Sequence, residues 1–134
     1  MPLKVAFVCV HNACRSQIAE ALGNMLGHDY FEAYSAGSQV QEHINEDAVF
    51  LMKQMYDIDM EKQHSKLFSE LPDCDIVISM GCNVVCPTLP CTKRIDWNIE
   101  DPTGQSEEIF RKTIYQIEKN IKELIETIKK SDNH

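Results

Sequence analysis

The stretch Cys9-Val10-His11-Asn12-Ala13-Cys14-Arg15-Ser16 follows the apolar run Val5-Ala6-Phe7-Val8 and leads into a segment with helical apolar spacing. A cysteine leaving a strand, a short turn, then arginine and serine at a helix start form an oxyanion-binding nucleophile loop. Backbone N–H groups in such a turn face inward as a nest, the helix N-terminus adds positive potential, and Arg15 supplies a planar fork for a tetrahedral oxyanion. The same field favours thiolate over thiol at Cys9, so nucleophile and anion pocket share one cause. The candidate anion-binding residues are therefore Val10, His11, Asn12, Ala13, Cys14, Arg15 and Ser16. Ser16 is positioned to hydrogen-bond the Cys9 thiolate, and Asn12 is a residue type that tolerates a left-handed turn.

Outward from this loop, residues 3–9 are a short apolar run that suits a buried parallel strand. From Gln17 to Leu26 the residues Ile18, Ala21, Leu22, Met25 and Leu26 repeat at helical spacing, and Gly27 is a natural stop. Tyr30 to Ser35 alternates as a second strand punctuated by Ala36-Gly37, which makes a right-handed βαβ unit. Asn45 is placed to cap a helix ending near Tyr56, with acidic Glu46 and Asp47 in its first turn. A short helix is expected around Ser65 to Glu70, then strands over Asp75–Ser79 and Arg94–Trp97. After a Ser106 cap, Phe110, Ile114, Ile117, Ile121, Leu124 and Ile128 step by four and three, a stripe that would pack on the sheet. Alternating strands and helices of this kind predict a three-layer α/β sandwich with ligands beyond the carboxyl ends of its strands, where the Cys9 and Cys82 loops fall.

With 134 residues the chain is expected to be a single domain, 1–134, burying roughly two-thirds of its unfolded surface. The net charge is −8 and the 13 basic residues form no run, which argues against nucleic-acid or membrane-surface partners. No apolar run approaches the roughly 18 residues needed to span a bilayer, and the N-terminus carries no signal-peptide core, so the expected location is cytoplasmic. The six cysteines, at 9, 14, 74, 82, 86 and 91, then point to catalysis, redox exchange or metal binding rather than a secreted disulfide framework.

Two further signals accompany the loop. Asp101-Pro102 is a turn that can place a carboxyl group over the anion pocket as general acid, with Glu100 and Asp96 as neighbouring alternatives. Cys82, Cys86 and Cys91 lie close together, but a zinc site wants four ligands at other spacings, so no metal is assigned. A relay of thiols passing a disulfide outward fits these cysteines better.

The residues Cys9 to Ser16, Gln17-Ile18-Ala19-Glu20, Ser35-Ala36-Gly37 and Asp101-Pro102 resemble the cytoplasmic arsenate reductases built on the low-molecular-weight tyrosine phosphatase fold. The resemblance covers nearly the whole chain. Gln17, where the phosphatases commonly have proline, and Thr103, where many have tyrosine, point to the reductase branch. The resemblance implies a central four-stranded parallel sheet flanked by helices. It also implies a mechanism in which Cys9 attacks arsenate held by the loop and Arg15, and Asp101 protonates the leaving oxygen. Cys82 then attacks Cys9 to expel arsenite, and a third cysteine, Cys86 or alternatively Cys91, frees Cys9. Thioredoxin or glutaredoxin with glutathione supplies the electrons, ultimately from NADPH; no tightly bound cofactor is implied, and the protein is expected to be a monomer. Some relatives bind potassium through residues matching Asn12, Glu20 and Ser35, with an acidic residue that Lys66 replaces here, so the Lys66 ammonium is expected to stand in for the ion. The competing enzyme is a low-molecular-weight phosphatase needing only Cys9, Arg15 and Asp101. A thiol-based metalloid or zinc sensor is a third reading, but no nucleic-acid element accompanies it.

Overall fold

The computed structural model describes residues 3–9, 12–39, 41–81 and 93–132. Its strands are β1 (Leu3–Cys9), β2 (Phe31–Gly37), β3 (Ile76–Ser79) and β4 (Lys93–Asp96), and its helices are α1 (Arg15–Gly27), α2 (Glu46–Tyr56) and α3 (Glu107–Asp132). The strands form one four-stranded sheet in the order β2-β1-β3-β4, with every pairing parallel. Burial explains the apolar composition of β1: it is central, and Val5, Ala6, Phe7 and Val8 are fully buried whichever face they point to. The chain leaves β1 toward β2 on one side and later returns to β3 on the other. The end of β1 is therefore the topological switch point, and Cys9 sits there.

Among the described residues the two faces are covered unequally. Val5, Phe7, Ile76 and Ile78 belong to one large core with Ile18 and Leu22 of α1, Leu51 and Met52 of α2, and the α3 stripe. On the other face Ala6, Val8 and Val77 pack with Tyr34 of β2 and with Phe68, Leu71 and Cys74, from a 3-10 turn (Phe68–Glu70) and the chain after it. Each large aliphatic side chain buried in the main core contributes about 1.5–3 kcal/mol relative to exposure. The α3 stripe is buried as its periodicity requires, and α3 also packs along α1. Ser106 Oγ accepts from Ile109 N at 3.3 Å, as a cap should.

Several boundaries differ from the sequence expectation for identifiable reasons. Helix α1 begins at Arg15, two residues before Gln17 by sequence number, so Arg15 and Ser16 are already first-turn residues. Strand β2 runs through Ala36 and Gly37, because Gly37 pairs with Cys9 and also bridges to Leu67. The helix expected from Ser65 shortens to the 3-10 turn, since Lys66 and Leu67 run along the sheet edge, with Gly37 N donating to Lys66 O at 2.8 Å and Gly37 bridging to Leu67. Helix α2 keeps its expected ends: Asn45 Oδ1 accepts from Ala48 N at 3.1 Å, and Asp57 closes the helix in the left-handed region. No helix among the described residues is long and apolar enough to cross a membrane.

Candidate active site

Helix α1 has no side-chain cap and no acidic residue in its first turn. Its N-terminal field is therefore directed at whatever lies over Cys9. The Cys9 Sγ is 2.9 Å from Ser16 Oγ and accepts from the Asn12 backbone N at 3.3 Å. Asn12 has φ of 51°, the left-handed conformation its side chain tolerates, and this turns its N–H back toward the sulfur.

The polarity of the Ser16 contact can be deduced. Asn12 Oδ1 accepts from the Lys66 backbone N at 2.7 Å, which fixes the amide orientation, because a backbone N–H only donates. Asn12 Nδ2 must then face Ser16 Oγ, 2.8 Å away, and donate to it. The Ser16 hydroxyl proton is left to point at Cys9, the arrangement that stabilises a thiolate.

Arg15 is buried and docked from a distance in sequence: Nη1 donates to Met80 O at 3.0 Å and Ile99 O at 2.7 Å. Those carbonyls are themselves positioned, since Met80 N donates to Val8 O at 3.0 Å and Ile99 N to Met80 O at 3.1 Å. Gly81 makes the approach possible. It has φ of +84°, and a Cβ there would lie 2.4 Å from Asn98 Cα, so only glycine fits. The second terminal guanidinium nitrogen, Nη2, faces Asp101 Oδ2 at 4.0 Å.

Asp101 is about half exposed, with 49% of its side chain accessible, at the rim of a cleft of about 430 Å³ lined also by Cys9, Ala13, Cys14, Arg15, Asn45 and Thr103. Its Oδ1 accepts from Thr103 N at 3.0 Å and Thr103 Oγ1 at 2.7 Å, so Thr103 fixes the carboxylate plane. Of the alternatives, Asp96 lies on β4 and accepts from Asn98 N, and Glu100 is exposed and outside the cleft lining. Cys14 also lines the cleft, but burial, then the Asp101 charge, pushes its thiol up to about 12. It stays protonated while Cys9 is held by donors, so the two cysteines are chemically distinct.

The structure thus brings together Cys9, Asn12, Ala13, Cys14, Arg15, Ser16 and Asp101. Val10, His11, Cys82, Cys86 and Cys91 lie outside the described residues. Gln41 and His43 also stand on the rim, and no motif in the sequence marks them, because nothing in it shows that the chain before α2 folds over the loop.

Behind the loop, Lys66 Nζ is 3.5 Å from Glu20 Oε1 and donates to His64 O at 2.9 Å, while Ser35 Oγ donates to the same Glu20 oxygen at 3.1 Å. Both members of the ion pair are mostly buried, 16% and 13% exposed. A potassium ion there would meet an ammonium beside its carboxylate, so these residues do not fit the cation.

Residues 4–134 match the family described as low molecular weight phosphotyrosine protein phosphatase. A glutaredoxin arsenate reductase of Synechocystis sp. is 37% identical over 130 residues, covering 93% of this chain and 98% of its own. The solved structure of an arsenate reductase in the phosphate-binding state is similar, with a TM-score of 0.85 and 35% identity over 96% of this chain and 99% of that one. A thioredoxin-dependent arsenate reductase of Corynebacterium glutamicum has a TM-score of 0.78 and 32% identity over 97% of this chain and 63% of that one.

Proposed function

The chain belongs to the low-molecular-weight phosphotyrosine protein phosphatase family, and within it we propose that this protein reduces arsenate to arsenite. The observation that carries the reading is a sulfur nucleophile with two donors aimed at it, Ser16 and the Asn12 N–H, beside a docked guanidinium and a carboxylate. The named relatives are arsenate reductases, one described as a glutaredoxin enzyme and one as thioredoxin-dependent, which supports the choice of oxyanion and of reductant.

In the first step the Cys9 thiolate forms a bond to arsenic. An As–O bond breaks, and the oxygen leaves as water with a proton from Asp101. Loop N–H groups and Arg15 hold the remaining oxygens as charge shifts onto them. In the second step the Cys82 thiolate attacks Cys9 Sγ. The new S–S bond oxidises two thiols, the As–S electron pair stays on arsenic, and As(V) leaves as As(III) in arsenite. Cys86, or Cys91 in its place, then attacks Cys82 and releases Cys9 as thiolate. The resulting outer disulfide is reduced by thioredoxin, or by glutaredoxin with glutathione.

Arsenate-dependent NADPH oxidation is expected with a thioredoxin or a glutaredoxin system. Absence of turnover in both, with all six thiols reduced, would remove the proposal. Cys82→Ser is expected to abolish arsenite release, and loss of the third thiol to hold it at about one equivalent, while both leave any hydrolysis of p-nitrophenyl phosphate intact. A phosphatase has no need of the second thiol, so phosphomonoester hydrolysis unchanged in Cys82→Ser and Cys86→Ser, with no arsenite released by the unmodified protein, would favour that branch instead.

Lys66 carries a second expectation. With its ammonium already on Glu20, potassium should change kcat/KM by less than about twofold relative to sodium at equal ionic strength, while Lys66→Met should create a potassium requirement. Strong potassium activation of the unmodified protein would show that Lys66 does not replace the ion.

A further inference from the structure

Gln17 is fully buried although it lies in the first turn of a helix and carries a polar amide. Its Nε2 is 2.9 Å from each of three acceptors, the Asn12 carbonyl, Asn12 Oδ1 and the His64 carbonyl. Its orientation is enforced from behind: Gln63 Nε2 donates to Gln17 Oε1 at 2.7 Å and to the Gln17 carbonyl at 3.1 Å. The Gln17 oxygen therefore faces Gln63 and its NH2 group faces the nucleophile loop.

One of those acceptors matters beyond packing. The Asn12 carbonyl and the Ala13 N–H belong to one planar trans peptide and point in opposite directions. A carbonyl drawn onto Gln17 turns the Ala13 N–H to the other side, where Ala13 and Cys9 line the cleft. Without that hold the peptide could turn over, presenting an oxygen to an anion instead of a donor. Asn12, already left-handed, is a residue at which such a turn is sterically accessible.

We propose that Gln17 is a positioning residue that locks the Asn12–Ala13 peptide with its N–H toward the oxyanion, and that Gln63 locks Gln17. The lock ties the loop to the segment from Gln63 to Lys66, so the chain before the 3-10 turn becomes part of the anion site without touching the anion. The inference rests on the reading of residues 9–16 as an oxyanion loop, and not on arsenate being the substrate.

The test uses inorganic phosphate as the probe, read as protection of Cys9 from iodoacetamide and followed by peptide mass spectrometry, with the melting temperature recorded for each variant. Gln17→Met, which keeps length but removes the donors, is expected to weaken phosphate protection about tenfold or more. Gln17→Glu, which sets a carboxylate against the Asn12 oxygens, should weaken it further, and Gln63→Met should weaken it about threefold. A lowered melting temperature with unchanged phosphate protection would overturn the proposal, because packing alone predicts that outcome. If the Gln17 variants do not fold, unchanged protection in folded Gln63→Met overturns it equally. Absence of phosphate protection in the unmodified protein would instead remove the oxyanion-loop reading on which the proposal stands.

Discussion

Cys9→Ser is expected to lower arsenate turnover by about 10⁴-fold or more while leaving the melting temperature and phosphate affinity nearly unchanged. The serine side chain has the same shape with a smaller oxygen in place of sulfur, so it adds no clash, and Ser16 and the Asn12 N–H, which lie 2.9 and 3.3 Å from Sγ, remain beside it. The arrangement that favours a thiolate cannot ionise an alcohol, whose pKa lies far above the working pH. Nor can an alcohol form the disulfide that reduces arsenic, so both the adduct and the electron transfer are lost at one position. Cys14, in the same cleft, does not rescue the reaction, because burial and the Asp101 charge hold its thiol up at about 12. NADPH oxidation coupled to thioredoxin or glutaredoxin measures the loss, and calorimetry with phosphate checks that the pocket survives. Residual turnover above a hundredth of the original would mean that Cys9 is not the nucleophile.

Much of the site was legible in the sequence because its parts are local. Cys9, Asn12, Arg15 and Ser16 occupy one strand–turn–helix junction, and the period change from β1 to α1 announces that junction. The left-handed turn at Asn12 and the Ser16 contact follow from residue type and spacing. What was not legible is what the chain brings back from far away. The Met80 and Ile99 carbonyls that receive Arg15 are backbone atoms, which no residue identity advertises. Gln17 stood out only as a family marker, and the residues that give it a task, Gln63 and His64, lie in a stretch with no clear periodicity. The uneven layers have the same origin: the face built on Ala6 and Val8 is covered by a turn and a short extended run, whose burial depends on tertiary contact rather than on pattern. Asp101 stands ahead of Glu100 and Asp96 already through its Asp-Pro pair and the family resemblance, and the structure adds the position of its carboxylate across from Arg15.

Arg15→Lys is expected to reduce kcat/KM for arsenate by about 10²–10³-fold although it preserves the charge. The guanidinium does two jobs with a fixed geometry: Nη1 is bound by Met80 O and Ile99 O, and the rest of the planar group is held in the cleft opposite Asp101. An ammonium is a single point with donors around it. If it stays with the two carbonyls it withdraws from the oxyanion, and if it moves toward the oxyanion it leaves Ile99 O without its donor and Met80 O with Ile99 N alone, which costs about 1–3 kcal/mol for the unsatisfied buried group. Either choice weakens transition-state binding, so phosphate affinity should fall together with kcat, and the melting temperature should drop as well. The Arg15–Asp101 attraction contributes little to this result, since the two groups are 4.0 Å apart and the carboxylate is half exposed to solvent. Asp101→Asn therefore separates the two roles: it should lower kcat by about 10²-fold through loss of the proton donor, yet leave phosphate affinity within about threefold and shift no buried hydrogen bond. Equal losses of phosphate affinity in Arg15→Lys and Asp101→Asn would show that charge balance in the cleft, rather than the docked fork, sets oxyanion binding.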